Sequence, residues 1–167
     1  MNRMSLDQRV AFAALFAAFL IEVPVARAQG MDFAGKWVIA KAAIAPWADP
    51  LQLGGPEEEK RLVGRTVIFG PQAVTGPAPL GCKHATYRLH NDPPDMLFEG
   101  GLAEPDQTGK PRNAVALARG LGMTTPTVRT LETSCSEVAF HRLASDTLVF
   151  GLNNRIYTMH PDSVGHR

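Results

Sequence analysis

The sequence predicts a mostly β domain, an antiparallel barrel of eight or nine strands with one helix. Short segments rich in β-branched and aromatic residues recur along the chain, and Gly, Pro, Asn and Asp separate them at short spacing. This pattern is typical of a small all-β sandwich or barrel. Short links favour antiparallel pairing, and closing such a sheet removes its exposed edges. A barrel of about eight strands has an interior that side chains fill or that holds one small ligand.

Each predicted strand is a run of strand-forming residues between two turn signals. In the first strand Trp37 and Ile39 share one face and alternate with residues of the other face. A Gly-Pro pair at 70–71 ends the second strand, and an Asn-Asn pair at 153–154 predicts a tight hairpin before the last. The predicted strands are 35–44, 63–69, 72–75, 82–90 and 96–103, and after 127–133 they are 137–143, 147–152 and 155–160.

The one full helix is predicted at 111–121, because proline lies near its start and glycines 120 and 122 follow its end. The segment 45–62 is predicted to be a long loop rich in Pro and Gly, with a single helical turn at Glu57–Leu62. Loops of this length in a compact domain are often functional or disordered. Trp47 lies in this loop, which makes the loop a candidate part of a binding site.

The first 28 residues have the pattern of a secretory signal peptide. Two arginines precede the apolar run Val10–Ile21, and the small-x-small sequence Ala26-Arg27-Ala28 follows it. The alternative is an uncleaved anchor, but a membrane-spanning helix needs about 20 apolar residues and Glu22 and Pro24 end this run early. We expect cleavage after Ala28, a single domain at 29–167 that does not span the membrane, and a periplasmic or secreted location.

The charge balance of the expected mature domain argues against two classes of partner. Removing the three basic and two acidic residues of 1–28 from the chain's 17 and 16 leaves 14 of each. Nucleic acids and anionic membrane surfaces both reward clustered positive charge, and the sequence contains no run of Lys and Arg. We therefore expect no nucleic-acid partner.

The two cysteines, Cys82 and Cys135, are predicted to form a disulfide, because two cysteines in an exported chain usually pair. A metal pair or a reactive thiol is the alternative. Neither is accompanied by the CxxC spacing that would support it.

The segment Phe33-Ala34-Gly35-Lys36-Trp37 resembles the opening of lipocalin-like (calycin) barrels, in which a Gly-x-Trp begins the first strand. The resemblance implies that Trp37 closes the floor of the barrel and that an arginine from the last strand packs over the indole. Arg155 is the natural counterpart of that arginine, and Arg142 is the second choice.

A second resemblance covers more of the chain. A strand, a glycine-containing turn and a cysteine strand near a tyrosine, at 67–69, 74–76 and 82–87, look like the small bacterial envelope domains of the META and heat-shock HslJ type. A later cysteine strand also occurs in those domains. Periplasmic inhibitors of C-type lysozyme are similar in size and layout.

Catalytic and metal-binding patterns are weak, so binding is the expected function. The sequence lacks HExxH, Gly-x-Ser-x-Gly, P-loop and Gly-x-Gly-x-x-Gly motifs, and His84 and His90 would lie about 20 Å apart on one strand, too far to chelate one metal. We expect a non-catalytic exported protein, without metal or cofactor, that holds a small apolar ligand or an envelope partner; the alternative is an inhibitor of a cell-wall-degrading enzyme. The candidate ligand-binding residues are Trp37, Tyr87, Phe98, Phe140 and Arg155, with Trp47 as a lid.

Overall fold

The computed structural model describes residues 32–49 and 56–162, and the predicted signal peptide lies outside these ranges. Eight antiparallel strands form one sheet that curls into a half-barrel, which confirms the predicted mostly β, barrel-like fold. The strands are β1 (Gly35–Ile44), β2 (Thr66–Phe69), β3 (Val74–Thr75), β4 (Tyr87–Asp92), β5 (Val128–Thr133), β6 (Ala139–Ala144), β7 (Thr147–Leu152) and β8 (Arg155–Pro161).

The order of strands across the sheet is β3-β2-β1-β8-β7-β6-β5-β4. The chain between the two end strands, β3 and β4, draws them together. Cys82 pairs with Val74 as an isolated bridge, and the Ala85 amide donates to the Gln72 carbonyl at 2.8 Å. The Tyr87 hydroxyl lies 2.6 Å from the carbonyl oxygen of Gly70. These contacts curl the sheet toward closure.

Side chains of the concave face fill the space that the sheet encloses. The rings of Phe69 and Phe140 meet edge to face at 4.9 Å, and those of Phe150 and Tyr157 stack at 4.9 Å. Phe33, just before β1, and Leu62, at the end of α1 (Glu57–Leu62), are fully buried against this face. We call this cluster the inner core.

A second cluster, the outer core, covers part of the convex face. It forms because the chain between β4 and β5 folds back over the sheet and carries a kinked 3₁₀ segment (Pro94–Gly100) and α2 (Ala114–Gly120). The Asn113 side chain accepts a hydrogen bond from the Ala116 amide at 3.0 Å and thereby caps α2. The outer core contains Leu97, Phe98, Leu102, Ala114, Ala118, Met123, Val128, Val149 and Ile156.

The helices α1 and α2 confirm two predictions, whereas the predicted strand at 96–103 is wrong. That segment begins after two prolines, and Phe98 and Glu99 adopt left-handed backbone angles, with φ of 52° and 58°. Leu97 and Phe98 are both buried although they are adjacent, which a half-exposed strand does not allow. No helix in the described ranges is long and apolar enough to cross a bilayer.

Candidate functional site

The predicted disulfide is present and holds a loop beside the convex face. Cys82 and Cys135 are bonded, with their Cα atoms 5.2 Å apart. Cys135 belongs to the β5–β6 connection, 134–138, which also carries Ser136 and Glu137. The bond ties this connection to the segment that follows β3.

Three of the candidate ligand-binding residues lie in or against the inner core. Trp37 is 4% exposed and Phe140 is fully buried, and Tyr87 is half-buried against the same cluster. The Trp37 indole nitrogen donates to the Phe33 carbonyl oxygen at 2.8 Å. These side chains pack against their neighbours in the enclosed space and complete its filling.

The arginine over Trp37 is Arg142 of β6 rather than Arg155. The guanidinium carbon of Arg142 lies 5.8 Å from the centre of the Trp37 ring and 5.7 Å from that of Phe33. Arg155 instead forms an ion pair with Glu59 of α1 at 2.8 Å. The second of the two sequence candidates therefore occupies the cation–π position.

Trp47 and Phe98, the remaining aromatic candidates, meet on the convex face. Their ring centres are 5.1 Å apart, and the Trp47 indole nitrogen donates to the Asn153 carbonyl at 3.3 Å. The two rings lie close to backbone glycines: a Cβ at Gly101 would lie 2.9 Å from the Trp47 ring, so that the ring would have to shift, and one at Gly151 would make a tight contact of 3.1 Å with Phe98. Trp47 is thus packed against the outer core.

A pocket of about 250 Å³ lies beside these two rings, and we call it the aromatic pocket. Glu99 and Glu137 bring carboxylates to it from the 3₁₀ segment and from the β5–β6 connection. The other lining residues are Val138, Ala139, Gly151, Leu152 and Asn153.

A polar pocket of about 550 Å³ adjoins the aromatic pocket, and the two share Glu99, Glu137 and Ala139. We call the two adjacent pockets together the outer groove. The polar part is additionally lined by Arg88, His90, Asp92, Met96, Glu132, Thr133, Ser136 and His141.

Cross-strand pairing assembles the charged network of the polar part. Arg88 and Glu132 are directly opposite on β4 and β5, and the Arg88 Nε donates to Glu132 at 2.8 Å. The ring nitrogens of His90 lie 2.8 Å from Asp92 and 3.1 Å from Glu132. His90 Nε2 is buried and makes no hydrogen bond. Its contact with Glu132 is therefore close but not a hydrogen bond.

His141 lies on the floor of the groove, and its neighbours fix it as a neutral ring. The Phe98 amide donates to its Nε2 at 3.2 Å, so that nitrogen must be the acceptor. Nδ1 lies 3.0 Å from the Thr130 hydroxyl oxygen and therefore carries the proton. The pKa of His141 is lowered to about 4, chiefly because burial disfavours the charged ring.

The groove as a whole is acidic. Asp92, Glu99, Glu132 and Glu137 line it, against the single guanidinium of Arg88. Within the described ranges, Glu99 and Glu137 have neither an ion pair nor a side-chain hydrogen bond. These two free carboxylates both lie where the two parts of the groove join.

His141 is not placed to act as a general base. Both nitrogens of His141 are engaged within the protein, so neither is free to accept a substrate proton. The described residues also contain no cluster of three or more His, Cys, Asp or Glu side chains that could hold a metal ion.

Sequence reasoning missed Glu99, Glu137 and His141 as residues of the site. The alternation of β6 places His141 on the face opposite to Phe140, but only the covering segment makes that face a buried groove floor. Comparison with known proteins finds no family model, curated protein or solved structure that matches this chain.

Proposed function

We propose that this chain is an exported, non-catalytic binding protein and that the outer groove is its binding site. A ligand carrier of the lipocalin type needs an open interior. Here Ile39, Phe140, Phe150 and Tyr157 are fully buried against one another in the enclosed space. The groove on the convex face, in contrast, is open and combines apolar rings with unpaired polar groups, as ligand sites usually do.

The observation that carries this proposal is the strained backbone at the groove. Phe98 and Glu99 are consecutive non-glycine residues with φ of 52° and 58°, a conformation that costs on the order of 1–3 kcal/mol for each residue. Both line the groove. Backbone strain of this kind clusters at ligand clamps and active sites, and here the two residues are Phe98, in contact with Trp47, and the exposed Glu99.

An inhibitor of a cell-wall-degrading enzyme is the second candidate function. The specific observation in its favour is the filled interior, because an inhibitor needs a rigid barrel and a polar surface rather than a cavity. In that case the acidic groove would meet a basic surface of the target enzyme, since electrostatic complementarity steers such encounters.

Nuclear magnetic resonance tests the location of the site. Protein labelled with ¹⁵N is titrated with a set of small apolar, anionic, saccharide and cationic probes and with a C-type lysozyme. We expect amide shifts at 96–101, 136–139 and 151–153, because these backbone segments line the groove. Shifts confined to inner-core residues such as Ile39 and Met159 would contradict the proposal and restore the hollow carrier. A response to lysozyme alone would favour the inhibitor.

A further inference from the structure

We infer that the aromatic pocket is a site for an organic cation, an ammonium group carried by a small molecule or by a lysine side chain. This inference rests on the proposed function and names the ligand class of the same groove. It draws on three features of the pocket: its rings, its carboxylates and its dimensions.

The rings supply the first attraction. Trp47 and Phe98 pack against each other, with ring centres 5.1 Å apart and planes inclined by 37°. Both line the pocket, and Trp47 is the more exposed of the two. The face of an aromatic ring carries partial negative charge and attracts a cation, tryptophan most strongly, and aromatic cages recognise quaternary ammonium groups in this way. An ammonium group over the exposed face of Trp47 would gain this attraction.

The carboxylates supply the second attraction. Glu99 and Glu137 line the aromatic pocket, and none of its described lining residues is basic. The basic groups of the adjoining part are already used, since Arg88 pairs with Glu132, and His90 lies between Glu132 and Asp92. Among the described residues, the carboxylates of Glu99 and Glu137 therefore have no ion-pair partner, and both residues line the pocket beside two apolar rings.

The volume of the aromatic pocket suits the head group of a ligand rather than a whole drug-sized ligand. The aromatic pocket measures about 250 Å³, below the range of about 300–1,000 Å³ that is typical of pockets for drug-sized ligands. Gly101 and Gly151 let the rings pack closely, because a Cβ at Gly101 would collide with Trp47 and one at Gly151 would crowd Phe98. A compact ammonium group fits here, and the rest of its carrier would extend into the polar part of the groove.

Isothermal titration with matched probes tests the inference. Choline is compared with 3,3-dimethylbutanol, which has the same shape without the charge, and N-acetyl-lysine methylamide is compared with N-acetyl-norleucine methylamide. We expect at least one cation to bind about tenfold or more tightly than its neutral counterpart, because a partly desolvated cation–π contact and a carboxylate each add to affinity. The pair that responds identifies the carrier as a small molecule or a lysine side chain.

Three variants complete the test. Glu137→Gln and Trp47→Leu should each weaken cation binding by about fivefold or more, whereas Glu104→Gln, at an exposed acid outside the groove, should leave it unchanged. An unaltered amide spectrum of the inner core shows that a variant is folded. Equal binding of cations and neutral counterparts, or equal effects of Glu137→Gln and Glu104→Gln, would overturn the inference. If the cation inference fails but anionic or saccharide probes still shift the groove amides, the proposed binding function stands. If no probe shifts them, the inference and the proposed function both fail.

Discussion

The hydrogen bonds around His141 are compatible with only one protonation state of the ring, the neutral form with its proton on Nδ1. The backbone amide of Phe98 can only donate, and it donates to His141 Nε2. A proton on Nε2 would therefore break this hydrogen bond. Asp92 and Glu132 favour the charged ring and His90 opposes it, but burial is the largest influence on its pKa. The groove floor is thus built on an uncharged imidazole.

This arrangement makes stability depend on pH. The folded pKa of His141 is about 4 against an ordinary 6.5, so between these values the unfolded chain binds more protons than the native state and stability falls as pH falls. The loss from this residue is about 3 kcal/mol across the window. Urea denaturation at pH 7 and pH 4 measures it. His141→Gln, which keeps an acceptor and a donor, should remove that part of the pH dependence.

The exposed His84 provides the control for this measurement. His84→Gln should retain the full pH dependence of the original chain. If His141→Gln and His84→Gln behave alike, the buried ring does not control acid stability.

Trp37 is the second residue with a measurable role. Trp37→Ala removes a buried ring, leaves the Phe33 carbonyl without its donor and takes away one surface beneath Arg142. We expect a loss of about 3–5 kcal/mol, as for other large buried aromatics. Arg155→Ala, which removes only a partly exposed pair with Glu59, should cost about 1 kcal/mol or less. Chemical denaturation of both variants decides, and similar losses would mean that Trp37 does not anchor the inner core.

At the scale of elements, the disulfide links the barrel to the groove. Its two cysteines are 53 residues apart in the chain, and Cys135 is two residues from Glu137. The bond therefore both closes a long loop and anchors one wall of the aromatic pocket.

Replacing both cysteines with serine should lower stability by about 2–5 kcal/mol, the usual cost of removing a disulfide from a small secreted domain. Denaturation of the variant and of the original chain, with and without reductant, provides the measurement. Reductant should destabilise the original chain and leave the variant unchanged. Equal stability of the variant and the oxidised original chain would show that the bond contributes nothing.

The elements also show where sequence reasoning succeeds. The strands at 35–44 and 147–152 were predictable because strand-forming residues run between clear turn signals. The 3₁₀ segment was not, since apolar residues at 96, 98 and 102 mimic alternation while the flanking Pro and Gly pairs break the strand. The groove was less predictable still, because Trp47 and Phe98 are brought together only by the packing of the outer layer. The sequence likewise could not show that Arg142, and not Arg155, lies over Trp37. Arg155 pairs instead with Glu59, whose position depends on the packing of α1.

At the scale of the whole molecule, one sheet serves two different cores. Adjacent residues of β6 divide between them: Phe140 packs in the inner core, whereas His141 lies beneath Phe98 on the outer side. The inner core supplies most of the large, fully buried side chains. Most polar groups of the groove belong to β4, β5, β6 and the β5–β6 connection, and the 3₁₀ segment adds Glu99.

The outer layer has a simple origin in the chain. The segment 93–127 is a single insertion between β4 and β5, two strands that pair directly in register from Tyr87 with Thr133 to Asp92 with Val128. Such neighbours need only a short turn to form a hairpin. Met96, Phe98 and Glu99 of this insertion line the groove, whereas the inner core lies on the other face of the sheet. A change in the length or composition of this one hairpin loop would therefore alter the groove while the aromatic interior stays the same.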